Sequence, residues 1–292
     1  MLRLFPCIVA ASMLLTFAPA HVQAQAAAST SLARCSEKLV PYSEWSNIKT
    51  AVFSLDLASP AKGRLYYFGA EHSSDPSNPQ FAEIEKSWNA VKPTVAFYEG
   101  PNRPIAATRE ETIKQAGESG FVRFLAARDG VPLMSLEPSP QDEVKYILKK
   151  FSLEQTALFF ILREAARLRE RRKMSEPEIR AAITQLLARV AQAKIFESPF
   201  TNLDEVEAAY KRHWKNPSEW WQAPMAWFDP LKSSAETGGI FTNEINQMSS
   251  GYRNVNMYTV LSTAALEGKK VFAVVGRNHV PMQAEALRCA LK

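Results

Sequence analysis

Tyr66-Tyr67-Phe68-Gly69-Ala70-Glu71-His72 decides how this chain is read. An apolar, β-prone run stops at a glycine and presents a histidine three positions later. Near the other end, Phe272-Ala273-Val274-Val275-Gly276-Arg277-Asn278-His279 repeats the arrangement. Each reads as a strand leading into Gly-x-x-His. Glycine permits a sharp turn where a strand leaves its sheet, so the spacing predicts an imidazole just beyond the carboxyl end of each strand. In open α/β sheets, ligands bind along that edge. Only folding can bring two motifs so distant in sequence together, and a site shared by both ends of the chain is the central expectation.

Working outward, residues 50–57 and 64–68 flank a Ser-Pro-Ala-Lys-Gly turn and predict a β-hairpin. Residues 94–98 form a short apolar strand ending at Glu99-Gly100-Pro101. Residues 131–136 form another, ending at Glu137-Pro138. A helix runs from 78 to 90 with Asn78 as cap and Pro79 in the first turn, burying Phe81, Ile84, Trp88 and Val91. A second covers 110–127. This alternation predicts an α/β fold, a mostly parallel or mixed central sheet with flanking helices. From 140 the apolar period becomes helical, and Ser175 with Glu178 forms a capping box. Together with a tryptophan-rich stretch, this predicts a large helical insertion at about 140–239. Trp214, Trp220, Trp221 and Trp227 would either line a cleft or stabilise the lobe. Beyond it are expected two helices, 240–248 and 255–266, on either side of Gly251. A strand over 270–275 and a helix opening at Pro281 complete the chain.

With 292 residues, 46% of them hydrophobic, the chain can bury one sizeable core, and disorder is excluded as its theme. Arg3 followed by the apolar run from Cys7 to Phe17 reads as a secretory signal peptide over 1–24, too short to span a membrane. A flexible leader over 25–34 and a single domain over 35–292 would follow. Export to the periplasm or the extracellular space leaves two cysteines, Cys35 and Cys289, and favours a disulfide between them. After signal cleavage no transmembrane anchor is expected. The net charge of +5 is mild, and the basic run from Arg163 to Lys173 contains acids and no aromatic residues. A solvated helix face explains that run better than nucleic-acid binding.

If the strands lie parallel, His72, Glu99, Glu137 and His279 share one sheet edge. Two imidazoles with a carboxylate suffice to hold a divalent metal and leave positions open for water. Hydrolysis is the natural output, a held metal supplying an acidic water and a free carboxylate taking the proton. Arg253 would hold an oxyanion or a carboxylate from a helix start. Glu71, Asp75, Glu137 and Asn254 are further candidates. Blander roles compete: a histidine can bond a loop carbonyl, and Glu99 and Glu137 can simply pair with Arg103, Arg253 or Arg277. The chain has no Gly-x-Ser-x-Gly elbow, no His-Glu-x-x-His and no phosphate-binding or dinucleotide loop.

Gly69 with His72, Glu99 with Gly100, Arg253 with Asn254 and Gly276 with His279, in this order around a helical middle, resemble the TraB/GumN/Tiki family, which is related to the erythromycin esterase and ChaN groups. The resemblance covers 50–138 and 240–290. It implies an α/β core with a helical insertion and, in the Tiki branch, a peptidase supported by Mn or Co, with Zn as another candidate; carried over, it implies His72, Glu99 and His279 as metal ligands, with Glu99, His279 and Arg253 as catalytic groups. The esterase relatives imply ester substrates instead. The first motif here reads Gly-Ala-Glu-His where Gly-Thr-x-His is usual. The leading expectation is an exported metal-dependent hydrolase of peptide or small-molecule substrates. The alternative is a non-catalytic haem- or small-ligand-binding protein like ChaN, its histidines ligating or sandwiching a porphyrin. A third reading is a structural module whose polar strand ends only pair with one another.

Overall fold

The computed structural model describes residues 30–102, 104–194 and 197–292. The signal peptide expected over 1–24 lies outside the described residues, as does Arg103. The sheet has five strands: β1 Ser54–Ala58, β2 Arg64–Ala70, β3 Val95–Tyr98, β4 Leu133–Ser135 and β5 Lys270–Gly276. Their spatial order is β1-β2-β5-β3-β4. β1 pairs antiparallel with β2 as the expected hairpin, and all other pairings are parallel. The last strand therefore occupies the middle. Its register sets Ala70 opposite Gly276 and Tyr98 opposite Val274, so the exits of β2, β5 and β3 lie side by side.

Strand residues alternate between two cores, as the pleat requires. Leu65, Tyr67, Phe97, Val271 and Ala273 face helices α8 (Thr242–Leu266) and α9 (His279–Ala290). Phe68, Ala96, Phe272 and Val274 face α1 (Pro79–Val91) and α2 (Arg109–Asp129). The Asn78 side chain caps α1 as its sequence indicated, accepting from the Gln80 N–H. The result is a helix-sheet-helix sandwich with both faces of the sheet covered.

The segment after β4 forms a lobe with its own apolar core. It contains α3 (Pro140–Ile147), α4 (Leu153–Arg172), α5 (Glu176–Ala193), α6 (Leu203–His213) and the single turn α7 (Ser234–Thr237). The Ser175–Glu178 capping box opens α5 as read from sequence. Trp214, Trp220 and Trp227 are buried in this core.

Three expectations need correction. A leader through residue 34 is not what residues 30–34 do: 30–36 are helical, and the Leu32 carbonyl accepts from Tyr258 Oη at 2.8 Å. The break expected at Gly251 is absent, and α8 runs unbroken through it. A mid-helix glycine costs only about 1 kcal/mol relative to alanine, and the buried residues on both sides, Ile245, Met257 and Leu261 among them, outweigh that. The final helix starts at His279 itself, with Pro281 inside its first turn. The bridge between Cys35 and Cys289 is present, with Cα atoms 5.6 Å apart. Among the described residues no helix is long and apolar enough to cross a membrane.

Candidate active site

Both motif glycines lie within their strands, and their function is close approach rather than turning. A Cβ on Gly69 would stand 2.8 Å from the Arg277 carbonyl oxygen, which no side chain tolerates. A Cβ on Gly276 would lie 3.2 Å from Glu99 Oε2 and 3.6 Å from His72 Nε2. Their bareness lets the two strand exits and the Glu99 carboxylate close on one another. The Ala70 carbonyl then accepts from the Arg277 N–H at 2.9 Å, joining the two motifs through their backbones.

Glu99 occupies the centre. Its Oε2 accepts from the Gly276 N–H at 2.5 Å and its Oε1 from Arg253 Nη2 at 2.5 Å, and His279 Nε2 stands 3.5 Å from Oε1. Burial alone would push this carboxyl's pKa up. His279 and Arg253 outweigh it and hold the group well below the ordinary carboxylate range, so Glu99 is ionised. Arg253 also donates from Nε and Nη2 to Glu137, both at 2.7 Å. Burial opposes its charge, but Glu99 and Glu137 prevail and raise its pKa. This arginine projects from the middle of α8, not from a helix start, and clamps two strand-end carboxylates at once.

The two imidazoles are anchored in matching fashion. His279, with 7% of its side chain exposed, places Nδ1 at 2.6 Å from Asn254 Oδ1. That oxygen also accepts from Gln283 Nε2 at 2.9 Å, so it faces the ring as an acceptor. Nδ1 is therefore an N–H nitrogen, and Nε2 is the ring nitrogen on the Glu99 side. Tyr42 packs edge-on against the same ring, its hydroxyl 3.5 Å from Nδ1. His72, with 63% of its side chain exposed, places Nδ1 at 2.6 Å from Glu118 Oε1. The hydrogen bond to Glu118 raises the His72 pKa, with desolvation pulling the other way.

Glu118, Tyr42 and Gln283 escaped the sequence reading. Glu118 follows Gly117, where α2 kinks at φ 57 and the chain comes close to the Ser73 carbonyl. The available signal was the pair Gly117 and Gly120 around an acid inside a helical pattern, a mark of close backbone approach. Glu71 pairs with Arg277, whose guanidinium lies 3.9 Å from the centre of the Phe53 ring. Asp75 bonds Ser77 in an exposed turn and does not line the cavity.

A cavity of about 770 Å³ opens over this edge, bounded by His72, Glu99, Glu137, Arg253 and His279 on the sheet side and by Arg163, Arg167 and Arg171 of α4 on the lobe side. None of the four tryptophans lines it; its aromatic lining residues are Tyr42 and Phe228.

No protein-family model, characterised protein or solved structure matches this chain.

The donor set was tested against a divalent metal. Both histidines are held through Nδ1, the arrangement in which outer partners orient metal-ligating imidazoles and leave Nε2 available. The 3.5 Å between His279 Nε2 and Glu99 Oε1 matches the separation of two ligands about 2.1 Å from one tetrahedral ion. As the side chains lie, no three His, Cys, Asp or Glu among the described residues are gathered closely enough to hold an ion. The donor chemistry fits, and His72 is the exposed member of the set.

Proposed function

We propose that this protein is an exported hydrolase that cleaves amide or ester bonds in a peptide or small molecule, with His72, Glu99 and His279 holding a divalent ion, Mn or Co by its resemblance to the Tiki proteins. The observation supporting this most directly is the common anchoring of two imidazoles through Nδ1, both rings lining one cavity with an ionised carboxylate. A bound divalent ion would supply an acidic water and polarise the scissile carbonyl. Glu99, held far below its ordinary pKa, is a weak proton acceptor and serves as anchor. Arg253 fixes Glu99 and Glu137 and leaves its Nη1 edge for a developing oxyanion. The predicted signal peptide and the Cys35–Cys289 bridge support export.

A second reading is favoured by the His72–Glu118 pair. A carboxylate that orients Nδ1–H and stabilises the imidazolium makes His72 a general base in its own right, as metal-free hydrolases require. Metal content and metal-binding calorimetry on the untagged mature chain separate the two. The expected result is one equivalent of Mn or Co, lost when His72→Ala and His279→Ala are combined. A folded wild type that binds neither ion would overturn the metal reading. Abolition of metal-free ester hydrolysis by Glu118→Gln would then establish the second.

A further inference from the structure

The lobe wall of the cavity has a charge arrangement that the hydrolytic groups do not use. Arg163, Arg167 and Arg171 recur every fourth residue along α4 and line the cavity together. The acids around the cavity are largely engaged. Glu99 and Glu137 hold Arg253, Glu71 holds Arg277, Glu164 holds Arg167 through two hydrogen bonds, and Glu143 accepts from Ser249. Arg163 and Arg171 remain, and among the described residues neither has a carboxylate within ion-pair distance.

Arg163 is the more telling of the two. It is half-buried, and its guanidinium is stacked 4.7 Å from the centre of the Phe159 ring and 5.3 Å from that of Phe160. These two contacts hold the guanidinium against the rings. Of its five N–H donors, one meets an acceptor among the described residues, Asn246 Oδ1 at 3.2 Å. Burial lowers its pKa against the pull of Glu143, a sign that the charge is not fully compensated where it sits. A guanidinium so held, with an open hydrogen-bonding edge, is the arrangement that receives a planar or tetrahedral oxyanion in two-point fashion.

We infer that Arg163, assisted by Arg171, is an anion subsite of this cavity, and that the substrate carries a carboxylate or phosphoryl group bound at α4 while its scissile bond lies at the His72–Glu99–His279 edge. The subsite rests on the hydrolase reading for its role in catalysis, but anion binding by itself does not depend on that reading. A substrate spanning the cavity would be gripped at the lobe and cut at the sheet.

The test is calorimetric titration of the mature chain, in low-salt buffer free of both anions, with inorganic phosphate and separately with succinate. One equivalent of either probe is expected to bind, phosphate indicating a phosphoryl substrate and succinate a carboxylate. Arg163→Met should weaken binding by about tenfold to a hundredfold, the loss of a hydrogen-bonded charge. Arg163→Lys should restore it only in part, because an ammonium cannot offer the bidentate edge. Arg171→Gln removes an exposed side chain and should weaken binding without risk to folding. His72→Ala/His279→Ala should bind the anion as the wild type does, which separates failure of the subsite from failure of the hydrolytic reading. The inference is overturned if neither probe binds, or if the exposed control Arg172→Gln weakens binding as much as the Arg163 and Arg171 variants do.

Discussion

His72 and His279 end neighbouring parallel strands in the same Gly-x-x-His motif, yet their surroundings differ in two respects. His72 is mostly exposed and its Nδ1 rests on a carboxylate, whereas His279 is buried and its Nδ1 rests on an amide. A charged partner stabilises the protonated ring and makes His72 responsive to pH. A neutral partner orients the ring of His279 without contributing a charge. Sequence likeness at two strand ends therefore yields one exposed ring held by a carboxylate and one enclosed ring held by an amide. The difference comes from what the opposing helices supply.

Three measurements sharpen or break that comparison. The largest effect is expected from Cys35→Ser with Cys289→Ser, because the bridge ties the N-terminal helical segment to α9, which begins with His279. Stability in urea should fall by about 3–5 kcal/mol on the chain-entropy account. The imidazole resonances of His279 should change while those of His72 stay in place. Equal changes at both rings would show that the two sites are not independently supported.

A smaller asymmetry is expected when each ring is removed. His279→Ala leaves Asn254 Oδ1 short of a buried donor, and it should cost about 1–3 kcal/mol in urea unfolding. His72→Ala acts at an exposed side chain, and although it removes the partner of Glu118 it should cost less than His279→Ala. Indistinguishable values would remove the distinction between the enclosed ring and the exposed one.

The smallest effect is one of titration. The His72 pKa is raised in the folded state, so its pairing with Glu118 contributes stability in full below the ordinary histidine value of about 6.5. That contribution is lost as pH rises through the raised folded value. Glu118→Gln should lower the His72 pKa in an NMR titration and flatten stability across the same window. Asn254→Ala should leave the His72 titration unchanged. A His72 ring that titrates identically with and without Glu118 would refute the charged-partner account.

Much of the frame was legible because the signals are local. An apolar run that stops at a glycine or an acid, and a cap such as Asn78 or Ser175, act through neighbours a few residues away. The pairing of Cys35 with Cys289 followed from export and parity. What escaped depends on packing between elements. Glu118 reaches His72 only because α2 kinks at Gly117, and Asn254 meets His279 because α8 continues through a glycine that read as a break. Arg163 and Arg171 looked like a solvated helix face, since a run of charges does not reveal that α4 turns one side toward the sheet edge. The glycines of the two motifs were identified correctly as necessary and given the wrong reason, because close approach is invisible until the approaching atoms have positions.

The placement of β5 has a consequence in time. The strand between β2 and β3 is the last to be synthesised, so a growing chain holds two half-sheets with an open slot between them. Until residues 270–276 arrive, Glu99 lacks the Gly276 N–H and His279 does not exist. A nascent chain thus lacks the candidate site by construction, and the sheet edge that carries it is assembled in the same event that closes the sheet.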